Sequence, residues 1–130
     1  MENKKFESFQ EVFNASVSGI FEQGKLAQVD GEPHYITPDG SCRCAVGVLM
    51  TPEEVRLAQA HSDAGNDYSV DDIADEDLLP ERLVPFTNQL GRLQRAHDRA
   101  DDVDDFIERT NFVAEELGIS PWKLGKSENV

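Results

Sequence analysis

Seven consecutive residues, Cys44-Ala45-Val46-Gly47-Val48-Leu49-Met50, carry no polar side chain. A run of this kind has to be enclosed on most sides, whether it is helix or strand. Two local signals frame it. Before it, Pro38-Asp39-Gly40 has the composition of a tight turn, with a proline that presets φ, an aspartate that bonds back to the backbone and a glycine free to take a positive φ. After it, Thr51 stands at an N-cap position, Pro52 at the first helical position and Glu54 at the third, the spacing of a capping box. A segment turned at one end and started into a helix at the other belongs at the centre of the core. Val46 and Val48 suit a strand, while the small Ala45 and Gly47 suit a closely packed helix; the helix start that follows at once favours a short helix.

The flanking chain reads mainly as amphipathic helix. Phe6, Phe9, Phe13, Val17, Ile20 and Phe21 recur at helical spacing, which places them on one buried face, and Gly24 ends that helix. Leu26–Val29 and His34–Ile36 flank Asp30-Gly31-Glu32-Pro33 and predict a small hairpin, in which neighbours His34 and Tyr35 point to opposite faces. A helix is expected from Glu53 to about His61, then a loop over residues 62–67, then an acidic stretch, residues 69–77, that is a helical turn or mobile. Pro80 and Pro85 place the next helix start near Pro85; along it Phe86, Leu90, Leu93 and His97 form the apolar face, with Arg92, Arg95 and Arg99 turned away. Asp101 or Asp102 caps a last helix whose buried stripe is Phe106, Ile107, Val113, Ala114 and Leu117, and Gly118 ends it. Ile119 and Trp122 fold back on the core. The expected architecture is mainly α (α+β), a compact helical domain with one small β-hairpin, spanning residues 1–122, with a flexible tail over 123–130. A chain of 130 residues can bury such a core without metal or disulfide support.

Charge limits the partners. The formal net charge is -14, and residues 63–117 alone hold 16 acids against 5 bases. A field of that sign repels nucleic-acid phosphates and anionic lipid and attracts basic protein surfaces, so no direct nucleic acid and no membrane is expected. Asp71, Asp72, Asp75, Glu76, Asp77, Asp101, Asp102, Asp104 and Asp105 are the candidate partner-binding residues. Their spacing does not match a calcium loop. With no apolar run long enough for a bilayer and no signal-peptide pattern, the expected location is the cytoplasm, and Cys42 and Cys44, one residue apart, are expected to be free thiols.

Two chemical alternatives use the same residues. Cys44 at a helix N-terminus, with His97 as base, would resemble the pairing of a cysteine hydrolase. Asp98, next to His97 on a helix, points about 100° away and is poorly placed to orient the imidazole. His34, Cys42, Cys44 and His97 could together make a four-ligand zinc set, although one Cys-x-Cys pair is a weak metal signal. A buried structural thiol and a core histidine bonded to a backbone carbonyl outrank both, and no cofactor is expected.

The order Pro38-Asp39-Gly40, Cys44-Ala45-Val46-Gly47-Val48-Leu49, Leu93-Gln94-Arg95-Ala96-His97-Asp98 and then the closing helix from Phe106 to Gly118 resembles a family of small uncharacterised proteins of tailed bacteriophages and prophages. The resemblance covers most of the chain and implies a phage accessory protein acting in a bacterial cytoplasm; the family carries no activity to transfer. The expected function is therefore that of an acidic accessory protein binding a host or defence protein with a basic surface, as an inhibitor or nucleic-acid mimic. Its oligomeric state is left open.

Overall fold

A computed structural model of the chain describes residues 6–29, 32–64 and 69–122. Among these residues, five α-helices and one two-stranded antiparallel hairpin make up a mainly helical fold with a small β part. Helix α1 (Phe9–Gln23) is capped by Ser8, whose side chain accepts the Glu11 N–H, and ends at Gly24 in the left-handed region with φ 83°. Its buried face is Phe9, Val12, Phe13, Ser16, Val17 and Ile20. Phe6 precedes the helix and is half-buried, and Phe21, expected on this face, is 42% exposed. Each residue turns the helix by about 100°, so one step past Ile20 carries Phe21 off the buried stripe, while Val12 and Ser16 fall inside it.

Strands β1 (Gln28–Val29) and β2 (Glu32–Pro33) pair in the register Gln28↔Pro33 and Val29↔Glu32. The hairpin is thus tighter than expected: Glu32 and Pro33 lie in the second arm, and what connects the arms, residues 30 and 31, falls outside the described residues. Pro33 is tolerated because a strand at a sheet edge needs no inward N–H there. Beyond it the His34 N–H reaches the Ala27 carbonyl at 2.8 Å. Tyr35 is buried and His34 half-exposed, the alternation expected of neighbours on extended chain. Ile36 then bridges Arg43 around the Pro38–Ser41 turn, where Gly40 takes φ 77°.

The apolar run ends as a 3-10 turn over Gly47–Leu49, a tighter form of the expected short helix. Its approach to α1 is close enough that a Cβ on Gly19 would lie 3.1 Å from Val48. Helix α2 (Pro52–Asp63) starts with the full capping box of Thr51 and Glu54, and runs two residues past His61. The rest of the loop expected to follow, Gly65, Asn66 and Asp67, lies outside the described residues. Helix α3 (Val70–Asp75) is capped by Ser69 and buries Val70 and Ile73, so the acidic stretch is a short helix with an apolar side. A 3-10 segment, Glu81–Phe86, contains Pro85 and leads directly into α4 (Thr87–Arg99). Helix α5 (Val103–Leu117) is capped by Asp102 and ends at Gly118 with φ 73°. Helix α4 packs against α3 and α5, and α1 packs against α5 and the Gly47–Leu49 turn. Ile119 and Trp122 cover the core edge as expected; the tail expected over residues 123–130 lies outside the described residues. Among the described residues no helix is long and apolar enough to cross a membrane.

Candidate functional site

Buried polar side chains reach the apolar run from two helices, Ser16 on α1 and Gln94 on α4, with His97 three residues beyond Gln94. Cys44 is held by its own backbone, its N–H on the Tyr35 carbonyl at 3.0 Å and its carbonyl accepting from Val48 at 3.0 Å. Its Sγ accepts the Gly47 N–H at 3.3 Å, so the expected stabilisation by backbone at the start of a helical turn is present. Burial overrides it. The side chain is fully enclosed, and desolvation pushes the thiol up from 9.0 to about 12, with the charge of Asp98 adding to the rise and the N–H groups of Gly47 and Val46 opposing it. Cys42 is also a free, buried thiol.

His97 is fully buried on α4. Its Nε2 accepts the Ala27 N–H at 3.1 Å, which requires an unprotonated Nε2 and puts the ring proton on Nδ1, 3.1 Å from Asp98 Oδ1. Asp98 therefore does orient the imidazole, contrary to the expectation from helical geometry. Nδ1 lies on the near side of the ring, bonded directly to Cγ, and a short carboxylate reaches it even from a neighbouring helical position. The histidine bonds a backbone N–H rather than the expected carbonyl. With both ring nitrogens occupied, neither is left to take a proton from Cys44.

Gln94 is the connecting residue that sequence reasoning missed. It is 3% exposed; its Oε1 accepts the Val46 N–H at 3.3 Å and its Nε2 donates to Asp98 Oδ1 at 3.3 Å. The signal was available, since Gln94 and Asp98 stand four apart on a helix and meet on one face. Ser16 plays a similar part, its Oγ donating to the Ala45 carbonyl at 2.7 Å. Together these bonds satisfy the backbone of a run that has no polar side chains of its own. The arrangement positions buried backbone; it exposes no nucleophile.

The alternative zinc set does not assemble. His34 is half-exposed with Nδ1 on the Glu32 carbonyl at 3.1 Å, His97 is committed as described, and among the described residues no group of three or more His, Cys, Asp or Glu could hold a metal ion.

The nine acidic candidates separate into two kinds. Asp72, Asp102 and Asp105 have local partners. Asp72 meets His61 Nε2 at 2.6 Å. Asp102 accepts the Asp105 N–H at 2.8 Å as the cap of α5. Asp105 accepts the Asp101 N–H at 2.9 Å and pairs with Arg109 at 3.0 Å; those two contacts, the backbone one first, hold its carboxyl below the usual range. Asp71, Asp75, Glu76 and Asp77 around α3, and Asp101 and Asp104 at the start of α5, are exposed, and their side chains make no hydrogen bond or ion pair among the described residues. Asp77 also takes φ 62°, unusual for a residue with a Cβ.

Against protein-family models, curated proteins and solved structures alike, the chain finds no match.

Proposed function

We propose that this protein is a non-enzymatic binding protein, a phage-type accessory factor that docks on a basic surface of a host or defence protein. The observation that carries this reading is the set of six exposed carboxylates, Asp71, Asp75, Glu76, Asp77, Asp101 and Asp104, that have no counter-ion among the described residues although the helix caps nearby are already satisfied. Unpaired like charges raise the energy of the folded chain, and a cationic partner relieves that repulsion while steering its own approach. The enclosed Cys44 and doubly bonded His97 put the hydrolase alternative second. Inhibition by nucleic-acid mimicry is the mode of action that fits a dense carboxylate surface.

Pull-down from bacterial lysate tests it. A defined partner should be retained at low salt, released as ionic strength rises, and lost to a variant with Asp71→Asn, Asp75→Asn, Glu76→Gln and Asp77→Asn or to one with Asp101→Asn and Asp104→Asn. Capture that ignores salt and both variants would sink the proposal, as would capture of nothing at low salt.

A further inference from the structure

Arg92, Arg95 and Arg99 follow one another along α4 at spacings of three and four, and face Arg109 and Phe112 of α5 across a groove of about 500 Å³. That volume lies within the range of small-molecule sites. Of the eight lysines and arginines among the described residues, these four line a single groove on a chain of net charge -14. They are not all neutralised. Arg92 meets Glu116 at 2.9 Å and Arg109 meets Asp105 at 3.0 Å, so these two have carboxylate partners. Arg95 and Arg99 have no carboxylate partner among the described residues, although the chain has more than twice as many acids as bases.

Three features together narrow the ligand. All four cations are arginines, whose planar forks match the oxygens of phosphate in pairs where lysine offers only a point charge. Phe112, 60% exposed, lines the same groove with an aromatic ring, which suits a flat ligand ring and does nothing for a bare anion. Glu108 stands one helical turn before Phe112 and also lines the groove, giving an acceptor that repels a simple polyanion but receives a hydroxyl or amino group. We infer that this groove binds a nucleoside monophosphate, with Arg95 and Arg99 on the phosphate, Phe112 under the base and Glu108 accepting from a hydroxyl or amino group. The overall charge favours a small dianion over a nucleic-acid strand, whose many phosphates would meet the acidic remainder of the surface.

The test is calorimetric titration of the whole protein with AMP, adenosine, inorganic phosphate and a short single strand with a 5′-phosphate, all at one salt concentration. AMP should bind more tightly than adenosine or phosphate, and more tightly than the strand. Arg95→Ala with Arg99→Ala should weaken AMP by about tenfold or more, and Phe112→Ala should weaken AMP while leaving the feeble binding of phosphate unchanged. Arg95→Lys with Arg99→Lys keeps the charge and removes the forks, so it should fall between the wild type and the alanine pair. These positions are exposed, and circular dichroism verifies that each variant is folded. Adenosine or phosphate binding as well as AMP, AMP binding that survives loss of both arginines, or no AMP binding at millimolar concentration each overturns the inference. Tighter binding of the strand than of AMP overturns the choice of a small ligand and makes the groove a strand site.

Discussion

His97 Nε2 accepts the backbone N–H of Ala27 at 3.1 Å, across 70 positions of sequence. A residue on α4 thus fixes the segment that leads into the hairpin, and Gln28 reinforces the link by donating its Nε2 to the His97 carbonyl at 3.2 Å. His97→Ala removes the acceptor, leaves the Ala27 N–H buried without a partner and opens a cavity, for an expected loss of about 2–5 kcal/mol. His97→Gln, which can still accept, should lose distinctly less. Urea unfolding of both variants checks this, and equal losses would mean that volume rather than the hydrogen bond matters.

Gly47 is required for space. A Cβ there would sit 2.6 Å from the Tyr35 carbonyl oxygen and 3.0 Å from Val55 Cγ2, and the first of these is backbone that cannot turn aside. Gly47→Ala should destabilise by about 1–3 kcal/mol. Gly91→Ala, in the middle of α4 with only the Arg95 side chain nearby at 3.9 Å, should instead stabilise by about 0.5–1 kcal/mol. Thermal melts of the two variants should move in opposite directions.

Cys44 should resist alkylation. Its thiol is pushed up to about 12 by burial, so iodoacetamide at pH 8 should leave it untouched in the folded protein carrying Cys42→Ser and modify it once denaturant unfolds the chain. Rapid modification of the folded protein below the ordinary thiol range of about 8.5 would contradict the burial and revive a nucleophilic role.

Two carboxylates should shape the acid limb of stability. The hydrogen bond from Arg82 lies first among the causes that hold Glu54 below its ordinary 4.5. A depressed carboxylate contributes stability above its unfolded value and loses it as pH falls through its folded value. Melting points measured from pH 6 down to pH 3 should therefore fall less steeply below 4.5 in Glu54→Gln than in the wild type. Asp39 is lowered from 3.8 to about 2, chiefly by the Ser41 N–H and the Thr37 hydroxyl. Its carboxyl NMR signal should titrate near pH 2, and a midpoint near 3.8 would mean that the Pro38–Ser41 turn is open in solution.

Features with a local cause were legible in the residues themselves. The capping box of Thr51 and Glu54, the glycine ends at Gly24 and Gly118 and the cap at Asp101 or Asp102 each need only a few neighbouring side chains; the first two appear as read and the cap falls at Asp102. The hairpin was legible as a hairpin but its register was not, because two-residue strands leave little alternation to read. Phe21 was misplaced because helical spacing defines a wide stripe, and only the packing partner decides where its edge falls. The environment of His97 was beyond reach for two reasons: Ala27 meets it only through tertiary packing, and the Asp98 contact depends on side-chain rotamers that helical spacing does not fix. Arg95 and Arg99 were read as turned away, which is correct for the core and silent about the groove that α5 builds opposite them.

The segment after α5 is fastened to α1 at several points. The Gln10 side chain exchanges hydrogen bonds with the Ser120 backbone across 110 positions, Trp122 Nε1 donates to Ser18 Oγ at 3.3 Å, and the rings of Phe21 and Trp122 lie 5.0 Å apart. During synthesis the buried face of α1 can therefore meet the Gly47–Leu49 turn well before its outer flank, at Gln10, Ser18 and Phe21, is covered by residues 119–122. Loop closure over that distance comes late and slowly.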